Sequence, residues 1–288
     1  MTPLPAHLRA VVEPLVDALA AVDGVRAVAL GGSRARATAR PDSDVDLALY
    51  YREQAPPDLD ALRAAAARAD PDAAPTGCYA WGPWVNGGAW LHTAAGRVDL
   101  LYRNLDQVER VLAEAAAGRV EWDFHQQPTH GFHNVIYLAE TAVCVPLRDP
   151  AGVLTALKAR LRAYPEPLRA AIVAMHGWGA EFTLSHARGA AARGDVYNAA
   201  GCATRALGHL TQVLYALNRV YFISDKGALE AIDAFARRPD GYADAVRALL
   251  AAPGATPAAL TATIERLAGL VAAVLALAGE LYRPPFRL

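Results

Sequence analysis

With 288 residues, 54% of them apolar, and 28 basic against 29 acidic side chains for a formal net charge of −1, the chain can bury one large core or two smaller ones and is no disordered tail. Its dispersed basic residues forecast no broad footprint on duplex nucleic acid, which leaves a small polyanion at one local site as the anionic partner to look for. Cys78, Cys144 and Cys202 lie far apart in apolar surroundings, which suits core thiols in a reducing compartment.

The N-terminal MTPLPAHLRAVVEPLV has two early prolines and no compact apolar block before a cleavage site, so no signal peptide is expected. From His7 apolar residues recur at helical spacing up to Asp23-Gly24, and VRAVAL (25–30) then reads as a strand running into Gly31-Gly32-Ser33. VDLALY gives a second strand, and DLDALRAAAARA a helix closed by Asp70-Pro71. CYAWGPWV, AWLHT and RVDLLY, punctuated by Asn86-Gly87-Gly88 and Ala95-Gly96, read as three further strands. From Asn134 onward nearly every segment has helical periodicity. The expected architecture is an α/β (α+β) domain with a small mixed sheet over residues 1–148, followed by a mostly helical domain over 149–288. The late apolar run from Leu267 to Gly279 is too short to cross a bilayer and is expected to be a buried helix. A cytoplasmic chain without a membrane partner is the expectation.

Charge concentrates in GGSRARATARPDSDVDLALY, residues 31–50. Two glycines and a serine at a strand end can turn several backbone N–H groups toward one anion, with Ser33 adding a hydroxyl and Arg34 or Arg36 adding charge. A tight strand-to-helix turn capped by Ser33 is the plainer account. On a strand, Asp44 and Asp46 project to the same side while Val45 and Leu47 enter the core. Carboxylates that close repel unless a cation sits between them, and magnesium suits both carboxylate and phosphate oxygen. Asp99 interrupts the apolar run Val98–Tyr102, where an acid is costly unless it faces solvent or a ligand. Beside the first pair it would complete a site for two metal ions; three solvated edge acids are the alternative.

The same segment resembles the signature of the DNA polymerase beta-like nucleotidyltransferase superfamily: a Gly-Ser turn, an Asp-x-Asp on a strand and a distant third Asp. Ala35-Arg36 after the turn is similar to the antibiotic-modifying (aminoglycoside and lincosamide) and minimal members; the minimal members usually continue with Gly where this chain has Ala37. The resemblance implies that Gly32 and Ser33, with Gly31 before them, meet the nucleotide phosphates. It also implies that Asp44 and Asp46 bind divalent ions, and that Asp99 helps hold one ion or activates the acceptor hydroxyl. The activity implied is magnesium-dependent transfer of a nucleoside monophosphate from an NTP, with ATP favoured, to a hydroxyl of a small molecule, releasing pyrophosphate. A protein or tRNA acceptor, or a non-catalytic nucleotide-binding regulatory module, are the competing readings.

In the helical half, LNRVYFISDKGALEAI offers Arg219 and Lys226 to a triphosphate or base, against a solvated face with Asp225 as a cap. His125, His130 and His133 read as structural or acceptor-lining, because Gly131 intervenes and no nearby cysteine completes a zinc set. Glu140, Glu181 and His186 are candidate acceptor-side acids and bases.

Overall fold

The structure, a computed structural model, describes residues 4–285. It comprises two compact units: one runs up to Ala113 and takes in Trp122–Ala163, and the other contains Glu114–Glu121 and the residues from Tyr164 onward.

In the first unit, α1 (Ala6–Ala20) precedes β1 (Val25–Leu30), the single turn α2 (Gly32–Ala35), β2 (Val45–Tyr51) and α3 (Leu59–Ala67). The hairpin of β3 (Gly88–Thr93) and β4 (Gly96–Asn104) follows, then α4 (Leu105–Ala116), which ends among the residues of the second unit. The short pair β5 (Trp122–Asp123) and β6 (Phe132–His133), α5 (Ile136–Val143), β7 (Val145–Arg148) and α6 (Val153–Arg160) complete the first unit. Five strands make one sheet in the order β3-β4-β2-β1-β7. Only β2 and β4 are parallel, as a connection through α3 and a hairpin permits. Period-two alternation sends Val28, Leu30, Val45, Leu47, Leu49, Leu91, Val98 and Leu100 into one core with Leu8, Val12, Leu15 and Leu19 of α1 and Leu62 of α3. Each such side chain stabilises the fold by roughly 1.5–3 kcal/mol on burial. The mixed sheet with helices, followed by a mostly helical region, is the architecture that the periodicities predict.

Two elements differ from the sequence reading. CYAWGPWV forms turns, not a strand: Tyr79 has φ +63° and Gly82 φ +131°. Its backbone donors are satisfied by side chains, Asn86 Oδ1 accepting from Tyr79 N–H (3.0 Å) and Gln126 Oε1 from the N–H groups of Trp84 and Val85 (2.9 Å each). Side-chain amides have replaced the ladder here. Conversely, VPLR forms the edge strand β7 against β1, where Pro146 is tolerated.

The second unit is built from α7 (Glu166–Ala192), α8 (Val196–Leu217), α9 (Ala228–Asp233), α10 (Tyr242–Ala251) and α11 (Pro257–Ala278). Gly194 (φ +70°) turns α7 into α8, and Asp195 caps α8 by accepting from Asn198 N–H (3.1 Å). The late apolar run lies within α11, and the stretch Pro257–Leu281 is long and apolar enough to cross a membrane by length and composition. The face carrying Leu260, Ile264, Leu267, Val271 and Val274 is buried, and α11 packs against α7 and α8. The three cysteines are free, and burial pushes each thiol above its ordinary range, which makes them poor nucleophiles.

Candidate functional site

The register of the sheet assembles the site. Asp46 of β2 lies opposite Asp99 of β4, and Trp90 of β3 lies opposite Asp99 on its other side. Residues paired directly across strands share a face. Trp90, Asp99 and Asp46 therefore form one row across three strands on the face turned away from the apolar core, with strands spaced about 4.8 Å apart.

The glycine turn closes the end of that row. Gly31 N–H donates to the carbonyl of Asp46 (2.8 Å), which fixes the turn to β2. Gly32 has φ +58°, and a Cβ there would stand 1.7 Å from Asp46 Oδ2. Gly31 is extended (φ −114°), and a Cβ there would meet nothing nearer than Asp46 Cβ at 3.6 Å. The motif's strict requirement thus falls on Gly32, through both its backbone and the carboxylate pressed against it. Ser33 lies in the helical turn, its carbonyl accepting from Thr38 N–H (3.0 Å).

The three arginines of the motif part company. Arg34 is a strut: its guanidinium donates to the carbonyls of Asp44 (Nε, 2.9 Å) and Ser43, holding the loop that delivers Asp44. Arg36 is exposed beside the turn, with Nε reaching the Gly32 carbonyl (3.3 Å). Arg40 closes the turn over Pro41-Asp42, its N–H donating to Ser43 Oγ (2.9 Å) while Ser43 N–H donates to its carbonyl (3.1 Å). Ala37 sits at φ +58°, the conformation for which glycine is the unstrained residue.

Arg97 is the functional-face residue that the sequence reading missed. It lies two positions before Asp99 on β4, so both point the same way. Its guanidinium bridges the carboxylates: Nη2 is 2.6 Å from Asp44 Oδ2, and Nε is 3.0 Å from Asp99 Oδ1. Asp99, with then Asp44, raises the Arg97 guanidinium above its ordinary range. The Asp99 side chain is 13% exposed; burial raises its carboxyl, Arg97 opposes the shift, and Asp44 adds to it. Asp99 Oδ1 is buried and makes no aligned hydrogen bond despite the ion pair. Among the described residues, no group of three or more His, Cys, Asp or Glu side chains is arranged as it stands to hold a metal ion. The donor chemistry there is that of a hard divalent cation's ligands, three carboxylates on one face with one oxygen short of a hydrogen bond, though the Arg97 guanidinium lies between two of them.

Other sequence candidates have local partners. Glu140 binds buried Arg103 through two bonds (2.6 and 2.8 Å), so it is a structural acid and not one facing an acceptor. Glu181 accepts from the Tyr282 hydroxyl, and His186 Nδ1 lies 3.2 Å from the Phe182 carbonyl. Buried His133 stacks on Trp122 with ring centroids 5.3 Å apart. In the second unit, Arg219 pairs with Glu166 (2.6 Å), and Lys226 is exposed, its N–H donating to Ser224 Oγ (3.0 Å).

Residues 13–70 match the profile of the family described as polymerase beta, nucleotidyltransferase, and residues 134–226 match a domain of unknown function, DUF4037. No curated protein matches this chain. Among solved structures, it is similar to a nucleotidyltransferase-like protein from Exiguobacterium sibiricum 255-15 at 13% identity and a TM-score of 0.49, over 96% of this chain and 78% of the other.

Proposed function

We propose, for a chain whose residues 13–70 match the polymerase beta, nucleotidyltransferase profile, the magnesium-dependent transfer of a nucleoside monophosphate from an NTP, ATP favoured, to a hydroxyl of a small molecule. The observation that carries this reading is the strand register that sets Asp46 opposite Asp99, with Gly32 against the Asp46 carboxylate. Gly31, Gly32 and Ser33 bind the leaving phosphates, with Arg36 exposed beside them to add charge. Asp44, Asp46 and Asp99 would hold magnesium, which would neutralise charge on the phosphates and on the departing pyrophosphate. Arg97 then yields the carboxylates; its side chain is 54% exposed, with room to swing into solvent. The acceptor oxygen forms a bond to the α-phosphorus, the bridging bond to the β-phosphate breaks, and pyrophosphate leaves. Asp99 Oδ1 takes the hydroxyl proton, being buried on this face without an aligned hydrogen bond.

Incubation of the full chain with α-labelled ATP, magnesium and pools of hydroxyl compounds is expected to yield a labelled acceptor and pyrophosphate. Asp44→Asn and Asp46→Asn should each abolish both. ATP binding without transfer to any small molecule, protein or RNA would replace this reading with that of a nucleotide-binding module.

A further inference from the structure

Trp90 is 59% exposed, a costly position for the largest apolar side chain unless something covers it. It does not stand alone: its indole stacks on that of Trp81, with centroids 4.7 Å apart and planes 16° from parallel. Trp81 is itself anchored, its carbonyl accepting from Gln126 Nε2 (3.0 Å) and its N–H donating to the Asn86 carbonyl (3.3 Å). The result is a fixed double indole at the edge of the sheet, in direct register with Asp99.

Its position relative to the carboxylates gives it a role. Along the outward face the order is glycine turn, Asp46, Asp99, Trp90. In phosphoryl transfer the attacking and departing oxygens lie roughly in line on opposite sides of the phosphorus. With pyrophosphate leaving on the glycine side and the α-phosphate at the carboxylates, the attacking hydroxyl arrives from the side of Trp90. Resting on the transfer reading above, we infer that Trp90, backed by Trp81, is the platform for the acceptor, and that the acceptor is a hydroxyl-bearing compound whose aromatic or pyranose ring lies on the indole. Acyclic alcohols lack the flat face that such a platform holds.

The test uses p-nitrophenyl β-D-glucopyranoside, which offers both ring types and free hydroxyls, with glycerol as the acyclic control. Calorimetry on the full chain measures glucoside and Mg-ATP binding separately, for the parent and for Trp90→Ala, Trp90→Phe and Trp81→Ala. Trp90→Ala is expected to weaken glucoside binding about tenfold, in the range of losses seen when a stacking aromatic is removed. Trp90→Phe should retain most of the affinity, Trp81→Ala should show an intermediate loss, and ATP binding should change less than about twofold in all three. In transfer assays the Trp90→Ala loss should appear in the acceptor KM and leave kcat nearly unchanged.

Equal glucoside affinity in parent and Trp90→Ala, or a loss of ATP affinity in place of glucoside affinity, overturns the inference; the second outcome would make the platform a nucleobase site. Glucoside binding that depends on Trp90 in a protein that transfers to no acceptor would retain the ring site and reject the transferase reading. Far-ultraviolet circular dichroism of each variant separates loss of folding from loss of binding.

Discussion

Two arginines on one strand show how the same pairing serves different ends. Arg97 and Arg103 lie six residues apart on β4 and point to the same face, about 20 Å from one another. Arg103 is 5% exposed; it meets Glu140 through two bonds, donates to its neighbour's carbonyl (2.8 Å) and lies over the ring of Tyr137. Burial works against its charge, Glu140 outweighs burial, and the guanidinium is held above its ordinary range. Arg97 is half exposed and divides itself between two carboxylates, Asp44 and Asp99. Burial with full satisfaction makes the first a fixed strut; exposure leaves the second a solvent-screened counter-charge.

The sharpest way to break this contrast is to remove a partner at each end. Glu140→Ala leaves Arg103 buried and unpaired, and should cost about 3–5 kcal/mol. Arg97→Ala, at the exposed end, should cost less than about 1 kcal/mol. Urea denaturation of both variants reads the difference, and equal losses would remove the distinction between strut and counter-charge.

A finer division runs through the glycine turn. Gly32→Ala must place a methyl group against Asp46 at φ +58°. The backbone alone should cost about 1–2 kcal/mol, and the displaced carboxylate should remove transfer activity. Gly31→Ala enters extended backbone with only ordinary contacts, and should fall within about 0.5 kcal/mol of the parent. Paired denaturation and transfer assays would contradict the geometry if the two substitutions behaved alike.

Near-neighbour patterns made much of this legible in the sequence. Alternation in VDLALY and RVDLLY revealed the strands and the outward direction of Asp46 and Asp99, and the 31–33 glycine turn revealed itself by composition. What stayed hidden depends on partners distant in the chain. The register of β2 on β4, which brings Arg97 between Asp44 and Asp99, is set by packing across residues 45–104 and leaves no local mark. Glu140 looks like a free acid until α5 places it against Arg103. The aromatic run after Gly77 has the composition of a strand, but side-chain amides of Asn86 and Gln126 capture its donors.

One departure from the motif can be tested on the fold itself. Ala37 occupies the left-handed region at φ +58°, and the Cβ penalty there is the stabilisation that glycine would recover. Part of that gain is offset by the greater freedom of glycine in the unfolded chain. Ala37→Gly should therefore raise stability by about 0.5–1 kcal/mol, seen as a higher urea midpoint with an unchanged slope. A lower midpoint would mean that the loop between Arg36 and Asp44 gains more from restricted flexibility than it loses to strain.

The smallest effect concerns Asp99, where the needs of the site and of the fold diverge. Burial raises its carboxyl above the ordinary range, with Arg97 opposing and Asp44 adding. A carboxyl raised in the folded state favours folding while protonated. That contribution is fully present below the unfolded value of about 3.9 and is lost as pH rises through the folded value. Asp99→Asn removes this titration, so variant and parent should converge in stability near pH 4. The variant should then become the more stable of the two as pH approaches about 7, even as it loses transfer. Urea denaturation at both ends of that window measures the gain. A variant less stable than the parent at the neutral end would show that the pull of Arg97 on Asp99 exceeds the cost of its burial, making the exposed end of β4 more like the Arg103 end than its geometry indicates.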